Sequence, residues 1–311
     1  MITYKKYSEF LKEKYGVKVY KLPINIYTSC PNRDGSVGVG GCTYCAEVGA
    51  GFESLPASFS VEEQIIQNKQ KIQKKYKPEK FIAYFQNYSN TYMPVEQLRK
   101  YITSALQEDI VEISISTRPD CISDEILQTI HQIQQTSGVN ISIELGIQSV
   151  NYKSLIKINR GHTLAEFIDA MYRIKKYNFE VCVHIIPNLP TDDIIDVIET
   201  AKIISVLNVD RVKIHALYIL KGTKMAEDYP NLNLISKEEY QERVITFLEY
   251  LSPHIAIERL IGRAPEENSI FVNWSESWWK IRDEIEHIMI EHNRYQGKYF
   301  DYTNGAAFLD C

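Results

Sequence analysis

The chain has no long apolar run. No stretch approaches the roughly 20 residues that cross a bilayer, and the segment MITYKKYSEFLKEKYG is charged and amphipathic, without the apolar core of a signal peptide. Proline and glycine are sparse, at 11 and 14 of 311 residues, which excludes collagen-like repeats and low-complexity linkers. Cysteine is scarce too. Six are too few to staple a fold of this length, so a clustered set points instead to metal or redox chemistry in a reducing compartment, and a cytoplasmic protein is expected. Positive charge is in deficit: 35 Lys plus Arg against 40 Asp plus Glu give a formal charge of -5. That balance argues against a protein that coats nucleic acid throughout, since such binding rests on neutralising phosphates.

What is present is a globular composition, 44% hydrophobic and 24% charged, in a chain long enough for one α/β barrel or two modest domains. Short β-branched runs at 24–28, 80–86, 111–117, 141–148, 181–186 and 212–219 have strand length. Helical spacing fills 61–76, 94–107, 123–135, 163–177, 192–207 and 237–251, with Ser60, Ser123 and Ser236 as N-caps and capping-box partners at Glu63 and Glu239. Strand alternating with helix predicts a parallel sheet. Periodicity leaves an open doubly wound sheet and an incomplete barrel both standing. Thr28, Gln86, Arg118, Gln148, His184 and His215 fall at or near strand ends, which favours the barrel, whose mouth lets one ligand meet many strands. Residues 254–265 add a candidate strand, and 277–294 a final helix.

The six cysteines are not evenly spread. Cys30, Cys42 and Cys45 share the segment CPNRDGSVGVGGCTYC, while Cys121, Cys182 and Cys311 are scattered. An iron-sulfur cube takes four ligands, so a trio with no near fourth leaves one iron for a substrate or cofactor. The glycines between them (Gly35, Gly38, Gly40, Gly41) let backbone amides come close to sulfide. A structural zinc site wants four protein ligands, and the chain has a single C-x-x-C with no second pair. A Cys42/Cys45 redox dithiol leaves Cys30 and the glycine loop without a role.

These residues resemble the radical S-adenosylmethionine (radical SAM) enzymes, in particular the YtqA/YhcC-like family related to the radical SAM domain of the elongator catalytic subunit. The resemblance is carried by KLPINIYTSCPNRDG, GGCTYC, AYFQNYSNTY, STRPDC, ELGIQS, INRGH, IHALYILKGTKMA, ERLIGRAP and RYQGKYF, in that order. It implies an α/β fold, a partial (β/α)6 TIM-type barrel over 21–225, with a helical segment before it (1–20) and a C-terminal extension after it (226–311). It also implies a [4Fe-4S] cluster on Cys30, Cys42 and Cys45, with S-adenosylmethionine (SAM) completing the fourth iron. Tyr44 matches the aromatic position near adenine, while Gln148 and Arg160 match positions that meet the ribose and the SAM carboxylate. Glu144 and His184 match polar positions near the ammonium or ribose. Glu144, His184 and His215 also read simply as satisfied strand residues, and Arg118 with Asp120 as a helix-capping pair. Gln86, Ser89 and Asn90 stand where relatives meet the SAM amino group.

One departure is visible: Asn188, Leu189, Pro190, Thr191 and Asp192 replace the G-L-P-G-E of many relatives. The branch implies action on tRNA wobble uridine, carboxymethylaminomethyluridine to aminomethyluridine, with a reductant such as flavodoxin or ferredoxin. The lysines between 69 and 80 and the aromatics Tyr84, Phe85, Tyr88 and Tyr92 are the candidate tRNA contacts. The rival expectations are a small-molecule substrate, a non-catalytic metal-stabilised tRNA-binding protein, and a hydro-lyase using the open iron as a Lewis acid.

Overall fold

The computed structural model describes residues 2–46 and 54–308, the side chain of Phe308 aside; Cys311 lies outside them. Nine strands are described: β1 (Val19–Ile24), β2 (Lys80–Phe85), β3 (Ile110–Thr117), β4 (Asn140–Gln148), β5 (Glu180–Ile185), β6 (Arg211–Ile214), β7 (Ile219–Leu220), β8 (Ala256–Arg259) and β9 (Ser269–Phe271). Ten α-helices accompany them: α1 (Tyr7–Tyr15), α2 (Val61–Tyr76), α3 (Val95–Ser104), α4 (Asp124–Ser137), α5 (Tyr152–Lys157), α6 (Leu164–Lys175), α7 (Ile194–Val206), α8 (Lys224–Glu227), α9 (Lys237–Tyr250) and α10 (Trp278–Glu291). The main sheet has the order β1-β2-β3-β4-β5-β6-β8, and β7 pairs with β9 separately. A doubly wound sheet reverses its order part-way. This one follows the chain, which selects the barrel type of winding.

The chain divides into two compact units. The first comprises residues 8–146 and 159–182, and the second the N-terminal residues to Tyr7, residues 147–158 and everything from Val183 onward. In the first unit β1, β2, β3 and β4 pair in parallel, with Ala83 opposite Ile113 and Ile113 opposite Ile141. Adjacent residues Ile82 and Ala83, which point to opposite faces, are both fully buried, so the sheet is covered on each side. Each such Ile or Leu contributes about 1.5–3 kcal/mol of burial free energy. In the second unit β6 pairs in parallel with β8, and α9 is apolar enough to bury Tyr240, Val244, Ile245, Phe247 and Leu248 completely.

Capping fixes where the helices begin. Ser60 and Glu63 form a reciprocal box at α2, as expected. Ser123 and Ser236 accept from the amides of Ile126 and Glu239. Two further boxes, Thr163 with Glu166 and Asp193 with Asp196, start α6 and α7.

Two strand expectations shift. The first strand lies at 19–24 rather than 24–28, and Gln64 explains it. Its side chain accepts from the Asn25 amide at 2.8 Å and donates to the Asn25 carbonyl at 2.7 Å, so both backbone groups that would extend the ladder are taken. Pro23 within β1 is tolerated because β1 is an edge strand. The 212–219 run is interrupted after Ile214, where the Leu217 amide goes to Asn188 Oδ1 at 2.8 Å and the chain turns off to β7.

The first unit also buries a charge. Glu112 of β3 is fully buried and accepts from Lys14 (3.1 Å), Tyr15 (2.7 Å) and Ser142 (2.7 Å). Removing one partner of a buried pair leaves an uncompensated charge, which costs more than the pair is worth. We therefore expect Lys14→Met to lower unfolding free energy by about 3 kcal/mol in urea titrations at neutral pH, without altering the α2 cap at Ser60.

Candidate cluster and cofactor site

The cysteine loop begins six residues beyond β1 and closes on itself through backbone bonds. Arg33 N donates to Cys30 O (2.8 Å), Val37 N to Pro31 O (2.8 Å), Gly41 N to Asn32 O (2.7 Å) and Cys45 N to Cys42 O (2.9 Å). Asn32, fully buried, is its hub: Nδ2 donates to Asn159 O at 2.5 Å and lies 3.8 Å from Cys42 Sγ. Asn159 returns the contact, its amide donating to Gly41 O at 2.8 Å. The INRGH segment is thus a clasp on the loop. Gly161 must be glycine here, because its φ is +75° and an added Cβ would stand 2.6 Å from Asn32 Oδ1.

Each cysteine sulfur faces a guanidinium. Arg118 Nη1 lies 3.9 Å from Cys30, Arg160 Nη1 3.6 Å from Cys42, and Arg33 Nη2 3.2 Å from Cys45. Arg160 is buried, gives its other terminal nitrogen to Gly146 O at 2.6 Å, and keeps Nε without a partner among the described residues. Arg118 donates to Arg160 O at 2.8 Å and pairs with Asp120 at 2.7 Å, so the expected pair forms, but it caps no helix: α4 is capped by Ser123. Burial, reinforced by the charges of Arg160 and Arg118, pushes His162 down to about 2 and keeps it neutral. Burial pushes the Cys121 thiol up to about 12, so it stays protonated at neutral pH.

Tyr44 is half-buried between Cys42 and Cys45, and burial next to Cys42 raises its phenol well above the ordinary value. Glu144 is fully buried in β4, accepting from Lys21 at 2.6 Å and from Ser114 at 2.7 Å. Ser89 and Asn90 are buried as well, and the Asn90 amide serves the carbonyls of Phe85 and Ser116.

In the second unit Gln148 ends β4 with φ +72°, a conformation non-glycine residues seldom adopt and one that accumulates at functional sites. His184 Nδ1 stands 3.3 Å from His215 Nε2, and Arg259 Nη2 stands 2.6 Å from His215 Nδ1. These three residues come from β5, from just past β6 and from the end of β8, and Arg259 was not singled out by sequence. The departure from G-L-P-G-E is built into hydrogen bonds: Asn188 caps the Leu217 amide, Thr191 meets Ser154 Oγ at 2.6 Å, and Ser154 also donates to Asp192.

The lysine stretch is placed away from the loop. Gln64, in the first turn of α2, touches Asn25 just past β1, whereas Lys71, Lys74, Lys75 and Lys77 are exposed from mid-helix to its far end, about 10 to 20 Å along the axis. Lys69 is committed to Asp109 and, at 3.0 Å, to Gln107. Tyr84 and Phe85 are buried and offer no stacking face, while Tyr88 and Tyr92 are half-buried near the loop, Tyr92 OH meeting Ser36 Oγ at 2.7 Å.

Three free thiols, with three guanidinium groups beside them and Asp120 paired to Arg118 among the described residues, make a wall that favours anionic charge. A thiolate-ligated cluster has that charge, and the orphaned Arg160 Nε suits a carboxylate; the residues fit both groups. Comparison with known proteins agrees. The radical SAM superfamily model matches residues 24–204, and the radical SAM C-terminal domain model matches 209–291.

The chain belongs to the radical SAM superfamily.

It is 35% identical to the uncharacterized protein YtqA of Bacillus subtilis over 96% of this chain and 93% of that one. The tRNA uridine(34) acetyltransferase of Methanocaldococcus infernus is 26% identical over 51% of this chain and 29% of its own length. Among solved structures, N-terminally truncated Elp3 of M. infernus superposes with a TM-score of 0.68 at 19% identity, over 89% of this chain and 64% of that one. The expected partial-barrel α/β fold is therefore this chain's fold, and as a radical SAM enzyme it uses a [4Fe-4S] cluster and SAM. No helix among the described residues is long and apolar enough to cross a membrane.

Two outcomes are expected. Gly161→Ala should lose most of its iron and sulfide after anaerobic reconstitution, whereas Gly16→Ala should load like wild type and cost only about 1 kcal/mol, since φ is +72° there but nothing lies within 4 Å of an added Cβ. Asp192, raised by burial from 3.8 to about 6, stays protonated longer in the folded than in the unfolded chain. Its contribution to stability is therefore fullest below 3.8 and declines as pH rises through about 6. Thermal melts across that window should show a shallower decline for Asp192→Asn than for wild type.

Proposed function

We propose that this radical SAM enzyme acts on tRNA wobble uridine, converting the carboxymethylaminomethyl side chain at C5 to aminomethyl. Cys30, Cys42 and Cys45 hold the cluster, Tyr44 packs at adenine, and Arg160 receives the SAM carboxylate through its unpartnered Nε. Gln148 and His184 meet the ribose. Glu144, oriented by Lys21 and Ser114, accepts from the methionyl ammonium or a ribose hydroxyl. When bound, the cluster supplies the electron that cleaves SAM to methionine and a 5′-deoxyadenosyl radical, which takes a hydrogen from substrate. The chain's own part is to bind, to orient and to exclude water. Hydrogen loss beside the side-chain nitrogen gives a stabilised carbon radical. Passing one electron to the oxidised cluster and the nitrogen proton to water would give an imine, and its hydrolysis would leave the aminomethyl group and a two-carbon aldehyde acid. We take 21–225 as the catalytic barrel and 226–311 as its extension, with flavodoxin or ferredoxin as reductant.

The chemistry rests on one observation, the three free thiols in a wall of guanidinium groups. The substrate rests on the relative named as a tRNA uridine(34) acetyltransferase, which shares about half of this chain. A small-molecule substrate is the second reading, favoured by the formal charge of -5 and by the exposed lysines standing from the middle to the far end of α2.

Reconstituted, reduced protein should release 5′-deoxyadenosine from SAM, and Cys30→Ala, Cys42→Ala or Cys45→Ala should cut that release by at least about a hundredfold, because the cluster that supplies the electron loses a ligand. In a strain lacking the gene, nucleoside mass spectrometry of tRNA should show the carboxymethylaminomethyl nucleoside accumulating at the expense of the aminomethyl form. Unchanged wobble nucleosides would remove tRNA and leave the small-molecule reading.

A further inference from the structure

Arg33 is held more closely than a loop arginine needs to be. Its guanidinium lies over the Tyr88 ring, 5.5 Å from the centroid, and along the backbone of Gly41, where an added Cβ would meet its Nε at 3.1 Å and its Cγ at 3.2 Å. Gly41 has φ +81°, so both its conformation and its lack of a side chain leave room for the arginine. Pressed between ring and backbone, one nitrogen, Nη2, reaches three acceptors: Cys45 O at 3.0 Å, Ala46 O at 2.6 Å and Cys45 Sγ at 3.2 Å.

The guanidinium thus ties down the chain on both sides of the Cys45–Ala46 peptide and aims a charged donor at the sulfur itself. Among the three arginine–sulfur approaches it is the shortest, ahead of 3.6 Å at Cys42 and 3.9 Å at Cys30. It also differs in what else it does. Arg160 and Arg118 are spent on Gly146 O, Arg160 O and Asp120, contacts that brace the wall, whereas the Arg33 Nη2 hydrogen bonds converge on the third cysteine and its neighbour.

We propose that Arg33 is a positioning residue that sets the reduction potential of the cluster through Cys45; this rests on the reading of Cys45 as a cluster ligand. The physical reason is electrostatic. Reduction adds an electron to the thiolate-ligated iron and sulfur, and a fixed cation donating to one ligand sulfur stabilises the more negative state more than the less negative one. A lysine would carry the same charge, but as a rotating point donor it lacks the planar fork that the ring and Gly41 hold in place.

The test is an EPR-monitored redox titration of the full-length protein reconstituted anaerobically with iron and sulfide, alongside iron and sulfide analysis, for wild type, Arg33→Met, Arg33→Gln and Arg33→Lys. Arg33→Met and Arg33→Gln should load iron near the wild-type level, yet at a fixed solution potential their ratio of reduced to oxidised cluster should fall about tenfold, about 59 mV for a one-electron couple. Arg33→Lys should fall between them and wild type. An unchanged potential in the loaded Met or Gln variant overturns the proposal. So does failure of both to load while circular dichroism reports a wild-type fold, since Arg33 would then serve loop assembly alone. Cys45→Ala separates this from the ligand assignment: a cluster with unaltered EPR signature in that variant would sink the assignment itself, whatever the Arg33 variants do.

Discussion

The contact between Asn32 and the Asn159–Gly161 segment is the constraint on which the site depends. A loop of eleven residues separating the first two cysteines is entropically costly to hold in one shape. It is held because a fully buried amide at its base bonds a backbone carbonyl more than a hundred residues away, and because a glycine there leaves room for it. Once the loop is closed, the positions of Cys30, Cys42 and Cys45 follow from short backbone bonds within it. The guanidinium groups of Arg118 and Arg160 then arrive from β3's end and from the clasp itself, so loop geometry and site electrostatics come from the same junction.

Positive charge is used locally in a chain that is negative overall. Arg33, Arg118 and Arg160 converge on sulfur, and His162 between two of them is kept neutral by burial and by their field. Elsewhere buried charge is neutralised at once: Glu112 by Lys14, Glu144 by Lys21. In the cysteine wall three guanidinium groups stand beside the sulfurs with Asp120 paired to Arg118, an excess of cations among the described residues that favours an anion.

Much of this was legible in the sequence. Spacing picked out the cysteines, Ser60 and Glu63 announced α2, and β-branched runs located β2 to β5 to within a residue or two. What stayed hidden has a common cause: side chains standing in for backbone. Gln64 ends β1 by saturating Asn25, and Asn188 ends the sixth run by taking the Leu217 amide, and neither leaves a trace in local periodicity. Asn32, Asn159 and Arg259 were passed over because each acts on a residue remote in the chain. The lysines of α2 were visible as a run, but only three dimensions show that the helix carries most of them away from the loop it begins beside.

The closure of the loop on its own backbone and on the Asn159 clasp involves no bond between sulfurs. The polypeptide itself therefore brings the three thiols together, and a ligand arriving there meets a preorganised site that loses little further conformational freedom.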